Sequence, residues 1–180
     1  MVVRLALLLT LVSASSLHAQ PSSEPASEYA VKAAYIYNFA KFVEWPSTVL
    51  EKQGEFVIGM LGDDPFGNVL EHALEDKMVG TYPITVRRYS SLEEAREAQI
   101  LYVPSSREQD LPMLHAGLRG DAVLTVADTP GFAERGVMIN FFITREDKVR
   151  FEANLEEAEN SGLRLSSQLL KLATIVKPQL

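Results

Sequence analysis

Apolar residues along this chain switch between two spacings, and the switches outline its elements. From Glu28 to Glu44 good helix formers carry apolar side chains at helical intervals, and Trp45-Pro46 ends the segment because the residue before proline is pushed out of the α region. This predicts a first helix. Short apolar runs follow at Phe56–Leu61, Ile84–Arg88, Ile100–Val103 and Ala122–Val126, and each predicts a strand. Between them lie helix-start signals: Asp64 as cap with Pro65 at the first helical position for a helix over 65–74, Ser90 or Ser91 with Glu93 or Glu94 as a capping box, and Ser105 or Ser106 as a further cap. Strands alternating with helices predict an α/β fold whose mostly parallel sheet is covered on both faces. Val137–Ile143, a turn over 144–147 and Lys148–Phe151 break that rhythm and predict an antiparallel hairpin near one sheet edge. Two C-terminal helices are expected, Leu155–Asn160 ended by Gly162, and Ser167–Val176 capped by Ser166 and stopped by Pro178.

The N-terminus follows a different logic. Arg4 precedes an apolar run from Leu5 to Val12, and small and polar residues lead to Leu17-His18-Ala19. That is the pattern of a signal peptide over residues 1–19, cleaved near Ala19. The run falls short of the roughly 20 apolar residues a membrane anchor needs, so the exported chain is expected to be soluble in the periplasm. No cysteine follows it to take a lipid. Residues 20–27, rich in Pro, Ser and Ala, read as a flexible leader to one domain over 28–180.

Charge and cysteine content narrow the partners. The formal net charge of −7 becomes more negative when Arg4 leaves with the signal segment. Nucleic acid and anionic lipid surfaces both call for a basic patch, and the sequence offers none. With no cysteine, stability in an oxidising compartment must come from the apolar core.

Candidate chemistry is sparse. The mature chain keeps His72 and His115, each in an expected helix with no second ligand at i+4, and the familiar nucleophile, phosphate and metal motifs do not occur. No catalytic residue, metal or cofactor is therefore assigned. Asp63 and Asp64 lie just beyond the strand 56–61, where open α/β sheets place ligands, and Asp128 could join them in a phospho-acceptor or metal site. The competing reading has Asp64 capping a helix and Asp63 in a turn. Asn140 interrupts an apolar run; its amide either pairs with a neighbouring loop or faces a ligand. Arg150 and Glu152 alternate with Val149 and Phe151, the usual outward face of an edge strand. On the first helix, Ala33, Ile36, Tyr37 and Ala40 cluster on one side and Tyr35, Asn38, Phe42 and Trp45 on the other. Two apolar faces imply either burial between layers or an aromatic face that meets a partner.

The segment Tyr29 to Pro46, YAVKAAYIYNFAKFVEWP, resembles the opening signature of the YfiR family of periplasmic regulatory proteins. Gly59–Phe66, Met138-Ile139-Asn140-Phe141-Phe142, Val149-Arg150-Phe151-Glu152 with Asn154, and Gly162 through Leu170 are similar to its later blocks. The resemblance implies a three-layer α/β/α sandwich that forms a homodimer. It also implies a non-enzymatic repressor that binds the periplasmic domain of an inner-membrane sensor, a diguanylate cyclase or kinase, and so restrains cyclic di-GMP signalling and biofilm formation. Redox sensing through disulfides does not carry over, because the cysteines are missing. The partner-binding face is expected at Tyr35, Phe39, Phe42 and Trp45, and a ligand site at Asp63, Asp64 and Asn140. The alternative is a one-lobe periplasmic sensor of a small molecule.

Overall fold

The computed structural model describes residues 25–179. The expected signal peptide and the leader as far as residue 24 lie outside the described residues. Residues 25–27, expected in the leader, instead open α1 (Pro25–Phe42), where Pro25 suits a first helical position and Glu28 complements the helix dipole. Then come β1 (Val43–Glu44), α2 (Ser47–Gln53), β2 (Phe56–Leu61), α3 (Val69–Leu74), β3 (Met78–Val79), β4 (Tyr82–Tyr89), α4 (Leu92–Ala95) and β5 (Ile100–Tyr102). A 3-10 segment at Ser105–Asp110 leads to α5 (Leu111–Gly117), β6 (Leu124–Ala127), β7 (Ile139–Ile143), β8 (Val149–Asn154), α6 (Leu155–Asn160), β9 (Arg164–Leu165), α7 (Ser167–Leu170) and β10 (Ala173–Val176).

Among the described residues, eight strands form one sheet in the order β10-β8-β7-β6-β5-β2-β4-β3, and β1 pairs with β9 in a separate antiparallel ribbon. The strands β4, β2, β5, β6 and β7 run parallel. Alternation along β2 shows the layering: Phe56, Ile58 and Met60 join the core beneath α1 and α3, while Val57 and Leu61 join the core beneath α4 and α5. The chain is therefore the expected α/β sandwich. Its first core centres on packed aromatics, with Phe39 of α1 stacked 5.7 Å from Phe141 and edge-on 5.1 Å from Phe151 between ring centroids.

Several expected elements change. The last helix stops at Leu170, although Ser166 caps it by accepting the Leu169 amide as expected. Residues 173–176 form β10, parallel to β8 in the register Ala173↔Phe151 to Val176↔Asn154. Thr174, Ile175 and Val176 are β-branched, and an open sheet edge satisfies their backbone groups better than a short helix would. The hairpin β7–β8 consequently lies inside the sheet, with β10 as its edge. The helix expected from Pro65 starts at Val69, after turns at 65–68. Neither Ser105 nor Ser106 caps a helix; the 3-10 segment begins at Ser105 without a side-chain cap. Ala122 has φ of 55°, which delays β6 to Leu124. The Ser90–Ser91 capping box does form: Ser91 Oγ accepts from the Glu94 amide and Glu94 Oε2 accepts from the Ser90 amide.

Candidate functional site

Strand order reverses around β2, whose successor β4 lies to one side and β5 to the other, so the switch point falls between the C-terminal ends of β2 and β5. That is where Asp63 and Asp64 were expected to lie beside a ligand. The protein fills this place with its own side chains. Gly62 turns the chain at φ of 81°, and Arg107 crosses so close that a Cβ on Gly62 would lie 2.7 Å from its Nε. The Arg107 guanidinium donates to the Ser90 carbonyl and to Asp110. Asp64 Oδ1 accepts from the Phe66 amide at 2.8 Å, and its Oδ2 pairs with Arg88 at 2.5 Å. Asp63 is exposed. Asp64 thus serves the turn before α3, and the two aspartates do not converge with Asp128. Among the described residues no three acidic or histidine side chains come together closely enough to hold a metal ion.

An open cleft of about 430 Å³ lies instead at the end of β6. The last register pair between β6 and β7 is Ala127↔Asn140, yet β7 continues to Ile143. Its protruding end forms one wall. Glu28 and Lys32 of α1 form another, Asp128, Pro130 and Gly131 a third, and Glu152 of β8 closes the set.

Lys32 organises this corner. It lies on the sheet-facing side of α1, one turn before Ile36, and is 2% exposed. Its ammonium donates to Glu28 at 2.5 Å and Asp128 at 2.6 Å, and sits 4.4 Å from the Tyr29 ring centroid. Burial alone would lower its pKa, but the hydrogen bonds to Asp128 and Glu28 outweigh that, and the group titrates above the ordinary lysine range. Tyr29 donates to Asp128 at 3.2 Å, and both Tyr29 and Tyr102 are pushed up, first by burial and then by the Asp128 charge. The rings hold the corner rigid: Phe66 meets Tyr29 edge-on at 5.0 Å and Tyr102 at 5.1 Å.

The Tyr102 hydroxyl in this corner is buried without a hydrogen-bond partner, and so is one atom of Asn140. Asn140 is 1% exposed, its amide nitrogen donates to Glu152 at 3.2 Å, and its carbonyl oxygen is buried without a partner. Of the three expected ligand residues it alone lines the cleft. The sequence reading missed Glu28, Lys32 and Glu152. A lysine one turn before Ile36 and two before Phe39 on an apolar stripe was the available signal; Glu152 looked like an ordinary outward residue because β8 was expected nearer the sheet edge.

The aromatic face of α1 is also revised. Phe39 is fully buried and lies in the core, so it cannot face a partner. Tyr35 is half-buried against Phe141 and Phe151, a flank of α1 rather than its far side. Trp45 follows the helix and packs edge-on against Phe56 at 5.0 Å, while Phe42 is half-buried. Helix α1 meets α3 and α7 as well as the sheet, which accounts for apolar residues beyond a single stripe.

Among the described residues, no helix is long and apolar enough to cross a membrane. No curated protein matches the chain. The profile of the YfiR/HmsC-like family matches residues 29–174, from Tyr29 at the cleft to Thr174 in the edge strand, and the chain belongs to that family of periplasmic regulators of cyclic di-GMP signalling.

Proposed function

We infer that this protein is a periplasmic repressor that binds the periplasmic domain of an inner-membrane sensor, such as a diguanylate cyclase, and favours its inactive state. The observation that carries the reading is the family match over 29–174, which takes in nearly every described element. A repressor of this kind needs no reaction of its own. It must only bind the inactive state better, and about 1.4 kcal/mol of differential binding shifts the balance tenfold. Partial burial of aromatic side chains could supply this.

The docking face in this reading is the half-exposed strip of Tyr35, Phe42 and Trp45. Phe42 is the residue to test, because Trp45 is committed to Phe56 and its removal would disturb the fold. Photo-crosslinking from position 42 in the native host should recover a membrane protein with a cytoplasmic signalling domain, and Phe42→Ala should weaken its capture and raise cyclic di-GMP. Crosslinks only to other copies of this chain would refute the reading. Self-association into a homodimer belongs to the same proposal and is tested by light scattering on the mature chain.

A further inference from the structure

The geometry points to a small organic cation, carrying an ammonium group on an apolar stem, as the ligand of the cleft between α1 and the end of β6. The site holds three carboxylates, from Glu28, Asp128 and Glu152, against the single ammonium of Lys32. That ammonium is already shared by Glu28 and Asp128 and is buried away from the opening. Arg150, on the same strand face as Glu152, is exposed and is not among the lining residues. An anionic ligand would therefore meet a surplus of negative charge.

Hydrogen bonding asks for the same chemistry. The Asn140 carbonyl oxygen is buried and unpaired, and an unmet buried acceptor is costly. One N–H of the Asn140 amide goes to Glu152, and the unpaired acceptor lies beside that carboxylate. An ammonium donates in several directions and can meet both at once. Half-exposed Phe142 and exposed Ile143 offer an apolar wall for a stem. The absence of converging metal ligands among the described residues favours an organic cation over an inorganic one. The volume falls within the range of small-molecule sites. The site stands independently of the partner proposed above.

Titration calorimetry on the full exported chain tests this with three amines, cadaverine, spermidine and phenethylamine, and with pentanediol and glutarate as neutral and anionic counterparts of cadaverine. At least one amine should bind saturably, and the diol and glutarate should not. Glu152→Gln, at a half-exposed position, should weaken binding about tenfold or more, and Asn140→Ala should do the same. Glu93→Gln, on exposed α4, should leave it unchanged. The assignment is overturned if no amine saturates, if the diol or glutarate binds as well as the amines, or if Glu93→Gln weakens binding as much as Glu152→Gln.

Discussion

The two ends of strands where this sheet could hold a ligand differ in one respect. At the switch point between β2 and β5, Asp63 is exposed to water and the other charged groups have internal partners: Asp64 has the Phe66 amide and Arg88, and Arg107 has Ser90 and Asp110. At the end of β6 the charges are also paired, but they are unequal in number and leave the Asn140 oxygen with nothing. Topology favours the first place and chemistry the second. The comparison teaches that an acidic cluster says little until its partners are counted, and that a buried unpaired group lining an open cleft is the better guide to a site.

The largest effect that would sharpen the contrast is expected for Lys32→Ala, which leaves Asp128 without its cation in a mostly buried corner. It should cost about 3 kcal/mol by urea denaturation, and Asp128→Asn in that background should restore part of it. The same corner gives the stability a pH dependence. Lys32, Tyr29 and Tyr102 each hold their protons more tightly folded than unfolded, so their contribution is complete below about pH 10 and is lost as pH rises through the raised values. The alkaline decline measured by thermal unfolding should be shallower in Lys32→Ala.

Next comes Asn154→Ala. This asparagine is as buried as Asn140 but fully used, accepting from the Glu157 amide at the start of α6 and donating to the Ala133 carbonyl. Its loss should cost about 2 kcal/mol. Asp64→Ala should cost about 1 kcal/mol, mostly for the lost turn bond, since Arg88 is half-exposed, and should leave amine binding intact. The smallest effect is expected for Asn140→Leu. It removes a buried unpaired acceptor, which favours the variant, and the bond to Glu152, which disfavours it; the two offset, so stability should change by less than about 0.5 kcal/mol while amine binding is lost. A cost there equal to that of Asn154→Ala would erase the contrast between the two places.

Much of the architecture was legible in the pattern of residues. The apolar run of β2, the capping box at Ser90–Ser91 and the cap at Ser166 are local signals that the structure uses as written. Errors arose where long-range pairing outweighed local preference. Residues 173–176 look helical beside Ser167–Leu170, but an open strand edge at β8 was waiting for them. Phe39 and Tyr35 look alike in a helical wheel; only their packing in the assembled fold separates a core ring from a half-buried one.

The sequence by itself determined the fold class, the order of most elements, the lack of any disulfide and, through motifs from Tyr29 to Leu170, the family. The first three follow from spacing, capping and composition, which act over a few residues at a time. The tertiary structure alone decided which charges matter. Lys32 and Asp128 are 96 positions apart and Asn140 and Glu152 face each other across a hairpin, so their pairing exists only once the sheet has assembled. Whether a polar group is satisfied depends on the last neighbour to arrive, and a single chain read from end to end does not carry that information.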